Sequence, residues 1–170
     1  MAKQRNKPPR KSATVRTTES DSDREDESRA RELGPIIPFG ELDPTALVRT
    51  LRISHHPRIP DGVYSVIDSY CTDPDCDCRV AYLIIVADSS DQDLAHISVG
   101  WEPVSFYQRW MGSRAKLGNA VELKGPSLMP WMPQGPLAPF WLELIRQRVR
   151  DREYLDFFKE RYFVFKSLLV

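Results

Sequence analysis

The run from Arg79 to Asp88 is apolar at both alternating sets of positions, with Val80, Tyr82, Ile84 and Val86 on one set and Ala81, Leu83 and Ile85 on the other. A strand of that composition has to be covered on both faces, so it belongs at the centre of a sheet. Gly62 to Tyr70 and Ala95 to Trp101 flank it in sequence. Both are rich in Val, Ile and aromatic residues and bounded by Asp, Pro, Ser and Gly, which marks them as strands. Short connections between the three make an antiparallel meander the simplest path.

Helical spacing dominates the rest of the body. Pro103 to Met111 starts on proline, is followed by Gly112, and carries Val104, Tyr107 and Met111 on one stripe. Phe140 to Val149 and Tyr154 to Leu169 repeat apolar residues at a period near 3.6, which predicts one bent helix or two packed on the sheet. Asp43-Pro44, a cap residue followed by proline, predicts a short helix from about Pro44 to Arg52 with Leu47, Val48 and Leu51 inward. Lys124 to Pro139 contains Pro126, Pro130, Pro133, Pro136 and Pro139 around Trp131 and reads as a loop draped over the domain. The fold class expected is α+β: a small three-stranded antiparallel meander packed by C-terminal helices.

Composition changes abruptly near Leu33. Residues 1–32 hold Met1 and Val15 as almost their only large apolar side chains, too few to offset the entropy of ordering the segment. Residues 1–33 are therefore expected to be a disordered charged tail and residues 34–170 a single α+β domain. The tail is basic from Lys3 to Arg16 and acidic from Glu19 to Glu32, while the body is close to neutral. A near-neutral body gives no reason to expect a nucleic-acid or membrane surface on it, so nucleic-acid association is expected only through the tail. No apolar stretch is long enough for a membrane span and no apolar segment follows the basic start, so the expected location is cytoplasmic.

Cys71, Cys76 and Cys78 fall between the first two strands, in Tyr70-Cys71-Thr72-Asp73-Pro74-Asp75-Cys76-Asp77-Cys78-Arg79. Three thiols in a reducing compartment point to metal binding or thiol chemistry rather than to disulfides. A hairpin closing symmetrically about Pro74 sets Cys71 opposite Cys78 with Cys76 above them, a spacing suited to three thiolates on one tetrahedral zinc. Asp73, Asp75 and Asp77 disfavour a metal-free thiolate, which weighs against a reactive thiol and for a bound cation. An inert acidic turn is the alternative. For the fourth ligand the same register is unhelpful. It carries His55, His56 and His96 to the sheet end remote from the cysteines, on the order of 25 Å away. An aspartate of the loop, Glu102 or a residue of the C-terminal helices is expected instead. Arg146, Arg148, Arg150 and Arg152 divide between two sides of a helix and read as a solvated face.

The segment from Tyr64 to Met111 resembles a group of uncharacterised bacterial proteins. The likeness lies in Tyr70-Cys71, Cys76-Asp77-Cys78-Arg79, Ile97-Ser98-Val99-Gly100-Trp101-Glu102, Phe106-Tyr107 and Trp110. In that group the C-terminal helix has a pattern like Tyr154 through Arg161-Tyr162 to Lys166, with a histidine where Arg161 stands here. The resemblance implies a shared fold and no particular reaction.

The reading that follows is a non-enzymatic, zinc-stabilised module presenting a surface to another protein, with Cys71, Cys76 and Cys78 as ligands and no catalytic residue assigned. A thiol- or zinc-dependent enzyme and a nucleic-acid-associated protein acting through its basic tail are the alternatives.

Overall fold

The computed structural model describes residues 35–90, 92–112 and 117–169, the side chains of 117 and 118 excepted. The expected tail, residues 1–33, lies outside the described residues.

The elements are β1 (Ile36–Pro38), α1 (Phe39–Leu42), β2 (Arg49–Ile53), β3 (Gly62–Cys71), β4 (Val80–Ala87), β5 (Asp93–Gly100), α2 (Val104–Met111), α3 (Leu117–Lys124), β6 (Ser127–Leu128), α4 (Ala138–Arg148) and α5 (Arg152–Leu168). The expected meander is β3–β4–β5, with the doubly apolar β4 in the middle. The sheet, however, has six antiparallel strands rather than three. β1 and β2 share one edge of β3, β1 beside Ser69–Cys71 and β2 beside Gly62–Val66. β6 lies on the outer edge of β5. These added strands span two to five residues, too few for alternation to stand out in sequence, and they exist because the β3 and β5 edges offer unpaired backbone groups.

The helix expected from Pro44 to Arg52 is absent. Its first half is a loop in which Asp43 caps Thr45, and its second half is β2, where Leu51 and Ile53 are buried and Thr50 and Arg52 exposed. Period two won over period three because β3 supplies a partner strand. The C-terminal helical region is two helices: Asp151 interrupts it and accepts a hydrogen bond from the Glu153 amide as the N-cap of α5.

The two sheet faces are unequal. Tyr64, Val66, Asp68 and Tyr70 share a face with Leu83, Ile85, Ile97 and Val99 by strand register. Beneath α4 and α5 this face meets Trp141, Ile145, Phe158, Tyr162 and Phe165, all fully or almost fully buried. Tyr64 stacks edge-on against Trp141 and Tyr70 packs against Tyr162 and Phe165. The opposite face, with Ser69, Tyr82, Ile84, His96 and Ser98, meets α3 at its far end, where Ser98 donates to the Glu122 carbonyl and Lys124 to the Gly100 carbonyl, both at 3.2 Å.

Both hairpin registers differ from a symmetrical closure. Ser69 pairs with Tyr82, so the register carried on sets Cys71 level with Val80 rather than with Cys78. His96 pairs with Ile84, not with Ala87. Four residues of strand separate it from Val80, about 13 Å, which halves the expected distance from the cysteine end. No helix among the described residues is long and apolar enough to cross a membrane.

Candidate functional site

Cys71 ends β3, Cys76 closes the turn after it, and Cys78 precedes the entry into β4. The turn is tight because the Asp73 carbonyl accepts from the Cys76 amide at 3.1 Å, while the Asp73 carboxylate accepts from the Asp75 amide at 3.0 Å. Pro74 supplies the fixed φ this turn needs. Arg79 then adopts φ +51, a left-handed conformation that costs a non-glycine residue about 1–2 kcal/mol. Its side chain is held in place. It forms two bonds to Asp77 (3.0 and 2.9 Å) and one to Glu102 (3.0 Å), stacks over Phe106, and its carbonyl accepts from Tyr107 at 3.0 Å. That reversal aims Cys78 back into the protein.

The three cysteines are free, buried and brought together. They lie close enough for the ionisation of each thiol to depend on the others. Bonds from Cys76 and then Cys78, with the Asp73 amide and the Lys166 charge working against burial, hold the Cys71 thiol far below its ordinary value. Cys76 is pushed up to about 11, foremost by its bond to Cys71. Cys78 is pushed up by its bonds to Cys71 and Cys76. The cluster thus favours ionisation at Cys71 over Cys76 and Cys78.

Helix α5 closes the site from above. The Tyr162 hydroxyl donates to the Cys76 carbonyl at 3.2 Å, and the Lys166 ammonium donates to the carbonyls of Cys71 (2.9 Å) and Asp73 (2.6 Å). On the sheet side lies Tyr82, only 1% exposed, whose hydroxyl has no hydrogen-bond partner. Burial raises its pKa first, and the charges it next feels are those of Cys78, Cys71 and Cys76. Its position explains this: Tyr82 is diagonal to Cys71 on the same sheet face, within reach of a long side chain.

The aspartates do not act as the sequence suggested. Asp77 is engaged by Arg79 and Asp73 by its own turn, so the charge that bears on Cys71 is the lysine of α5. Lys166 is the functional neighbour that sequence reasoning missed. It lies 95 residues from Cys71, and only the one-turn spacing from Tyr162 hinted at a shared helix face.

Of the expected fourth ligands, Glu102 is paired with Arg79. Arg161, where the resembling group has histidine, turns instead to Asp68 and stacks on Phe39. His55 lies in the loop before β3, where its amide donates to Asp61, and His56 accepts from the amides of Arg58 and Ile59. Among the described residues no group of three or more His, Cys, Asp or Glu side chains is arranged to hold a metal ion. Three tetrahedral thiolate ligands stand about 3.8 Å apart at ordinary zinc–sulfur lengths. Side-chain rotation of Cys71, Cys76 and Cys78 would be needed to reach that spacing.

Compared with known protein families, with curated proteins and with solved structures, the chain gives no significant match.

Proposed function

We propose that the protein is a non-enzymatic module in which Cys71, Cys76 and Cys78 hold a structural zinc ion, and that the module serves as a docking surface for another protein. The observation that carries this reading is the cluster of buried thiols beside a positive charge. Three free cysteines are buried at one loop, and the Lys166 ammonium, held by the Cys71 and Asp73 carbonyls of that loop, is a positive charge that favours ionisation of Cys71. Ionising the two further thiols in this buried loop requires a cation, which a bound zinc ion would supply.

Bound there, zinc would supply a cross-link among the β3 end, the turn and the β4 entry, and no redox chemistry. Tyr162 and Lys166, which grip the carbonyls of the same loop, would pass that rigidity to α5. The outer side of α5 exposes Phe163, Val164 and Leu168 at 58%, 49% and 49%, an apolar strip suited to a protein partner. Buried cysteines remote from the histidines favour a structural role over an enzymatic one.

Cobalt substitution tests the metal assignment. Cobalt(II) added to chelator-treated protein should give intense sulfur-to-cobalt charge-transfer absorption of tetrahedral character, reduced by about a third in Cys76→Ser. Octahedral, weakly absorbing cobalt would refute thiolate ligation.

A further inference from the structure

The sheet face opposite α4 and α5 holds a cavity of about 290 Å³ that no cysteine lines. Its floor is Tyr82 and Ile84 of β4, and its wall is the Met129–Gln134 segment with the Trp131 indole, 59% exposed, at the rim. That wall is fixed. The Gln134 side chain donates to the carbonyls of His96 and Met129 and accepts from the His96 amide, and the Met129 amide donates to the His96 carbonyl.

Three residues lining this cavity carry a buried, unpartnered polar atom: Ser69 Oγ on β3, the Tyr82 hydroxyl on β4 and His96 Nε2 on β5, each residue 2% exposed or less. The histidine tautomer follows from its other nitrogen. Nδ1 lies 2.7 Å from the Pro133 carbonyl, which can only accept, so Nδ1 bears the hydrogen and Nε2 is left as an acceptor in the neutral ring. Asp93 Oδ2 stands 3.1 Å from Nε2 but out of line for a hydrogen bond. Three orphaned polar groups around one apolar cavity are an exception that buried polar atoms in proteins seldom show.

We propose that this cavity binds a small neutral aromatic compound with hydrogen-bonding groups at opposite ends of one ring, a para-substituted phenol, its hydroxyl donating to His96 Nε2 and its far acceptor receiving the Ser69 hydroxyl. Register sets the length. Ser69 and His96 are two strands apart and staggered by two residues, which puts their polar atoms on the order of 10 Å apart. One para-disubstituted ring with a hydrogen bond at each end spans that distance. Ile84 beneath and Trp131, Met129 and Met132 beside it form apolar, sulfur-rich and aromatic walls for a flat ring. Asp93 beside Nε2 disfavours an anion, and no cationic side chain lines the cavity.

The probe is methyl 4-hydroxybenzoate, titrated into the full chain and followed by two-dimensional NMR. Saturable binding is expected, with shifts confined to β3, β4, β5 and the Trp131 indole. Methyl benzoate, methyl 3-hydroxybenzoate and the 4-hydroxybenzoate anion should each bind about tenfold more weakly or worse, and Ser69→Ala should lose up to about tenfold. His96→Gln should do likewise if folded, and Ser69→Ala, which removes one exchangeable atom, keeps the test valid if it is not. Absence of saturable binding, equal affinity for the four compounds, or unchanged affinity in Ser69→Ala would overturn the proposal.

Discussion

Arg161 Nε and Asp68 Oδ2 form a buried ion pair between α5 and the middle of β3, with side chains 14% and 3% exposed. Tyr70 donates to the same carboxylate at 2.7 Å, and the Arg161 guanidinium also reaches the Leu47 carbonyl at 3.1 Å and the face of Phe39. The helix is thereby indexed against the sheet at the residue next to Tyr162, which meets the cysteine loop with Lys166. Removing one partner of a buried pair leaves an uncompensated charge. Asp68→Ala should therefore destabilise the protein by about 3–5 kcal/mol in denaturant unfolding, more than the paired replacement of Asp68 and Arg161 by apolar residues.

Gly100 packs its backbone directly against Tyr107. A Cβ there would overlap the Tyr107 hydroxyl and stand 2.6 Å from the Leu123 carbonyl. Gly100→Ala should cost about 1–3 kcal/mol, read as a lower melting temperature. Tyr107→Phe in the same chain should recover only part of it, because the Leu123 carbonyl remains.

At Arg79 the positive φ and the ion pairs act in opposite directions, and a pair of variants separates them. Both Arg79→Ala and Arg79→Gly lose the contacts to Asp77 and Glu102. Only the glycine relieves the backbone, so it should be the more stable of the two by about 1 kcal/mol in equilibrium unfolding.

Alkaline conditions should unfold the protein through its tyrosines. Burial raises the phenols of Tyr70, Tyr82, Tyr107 and Tyr162, and raises Tyr154 to about 12 against the opposing charges of Arg49 and Arg148. An unfolded phenol ionises near its ordinary value of 10.0 while the folded one keeps its proton, so the unfolded state binds fewer protons. Stability contributed this way is complete below pH 10 and lost as pH rises through about 12. Far-UV circular dichroism and phenolate absorbance should change together above pH 10, and Tyr154→Phe should flatten the slope.

The central strands were legible because Val80 to Ala87 has to be covered on both faces whatever surrounds it. The helices carrying Trp141 and Tyr162 were legible because their apolar stripes are long. The short strands were not, since Arg49 to Ile53 becomes a strand only when β3 offers it hydrogen bonds. Convergence of the cysteines could be read from their spacing, but their register could not. Arg79 adopts a left-handed backbone that composition does not announce, and this moves Cys71 two residues from its expected partner. Lys166 and the orphaned Tyr82 hydroxyl depend on how α5 and β4 close over the loop, which local pattern cannot reveal.

The central claim is that the cysteine cluster exists to hold a metal for stability. The most direct measurement is the zinc content of protein purified without chelator, taken together with the melting temperature of Cys78→Ser. Stoichiometric zinc, a lower melting temperature on chelation, and a Cys78→Ser variant that melts like the chelated parent are the expected results. Protein without stoichiometric zinc, and a Cys78→Ser variant that melts like the untreated parent, would contradict the account.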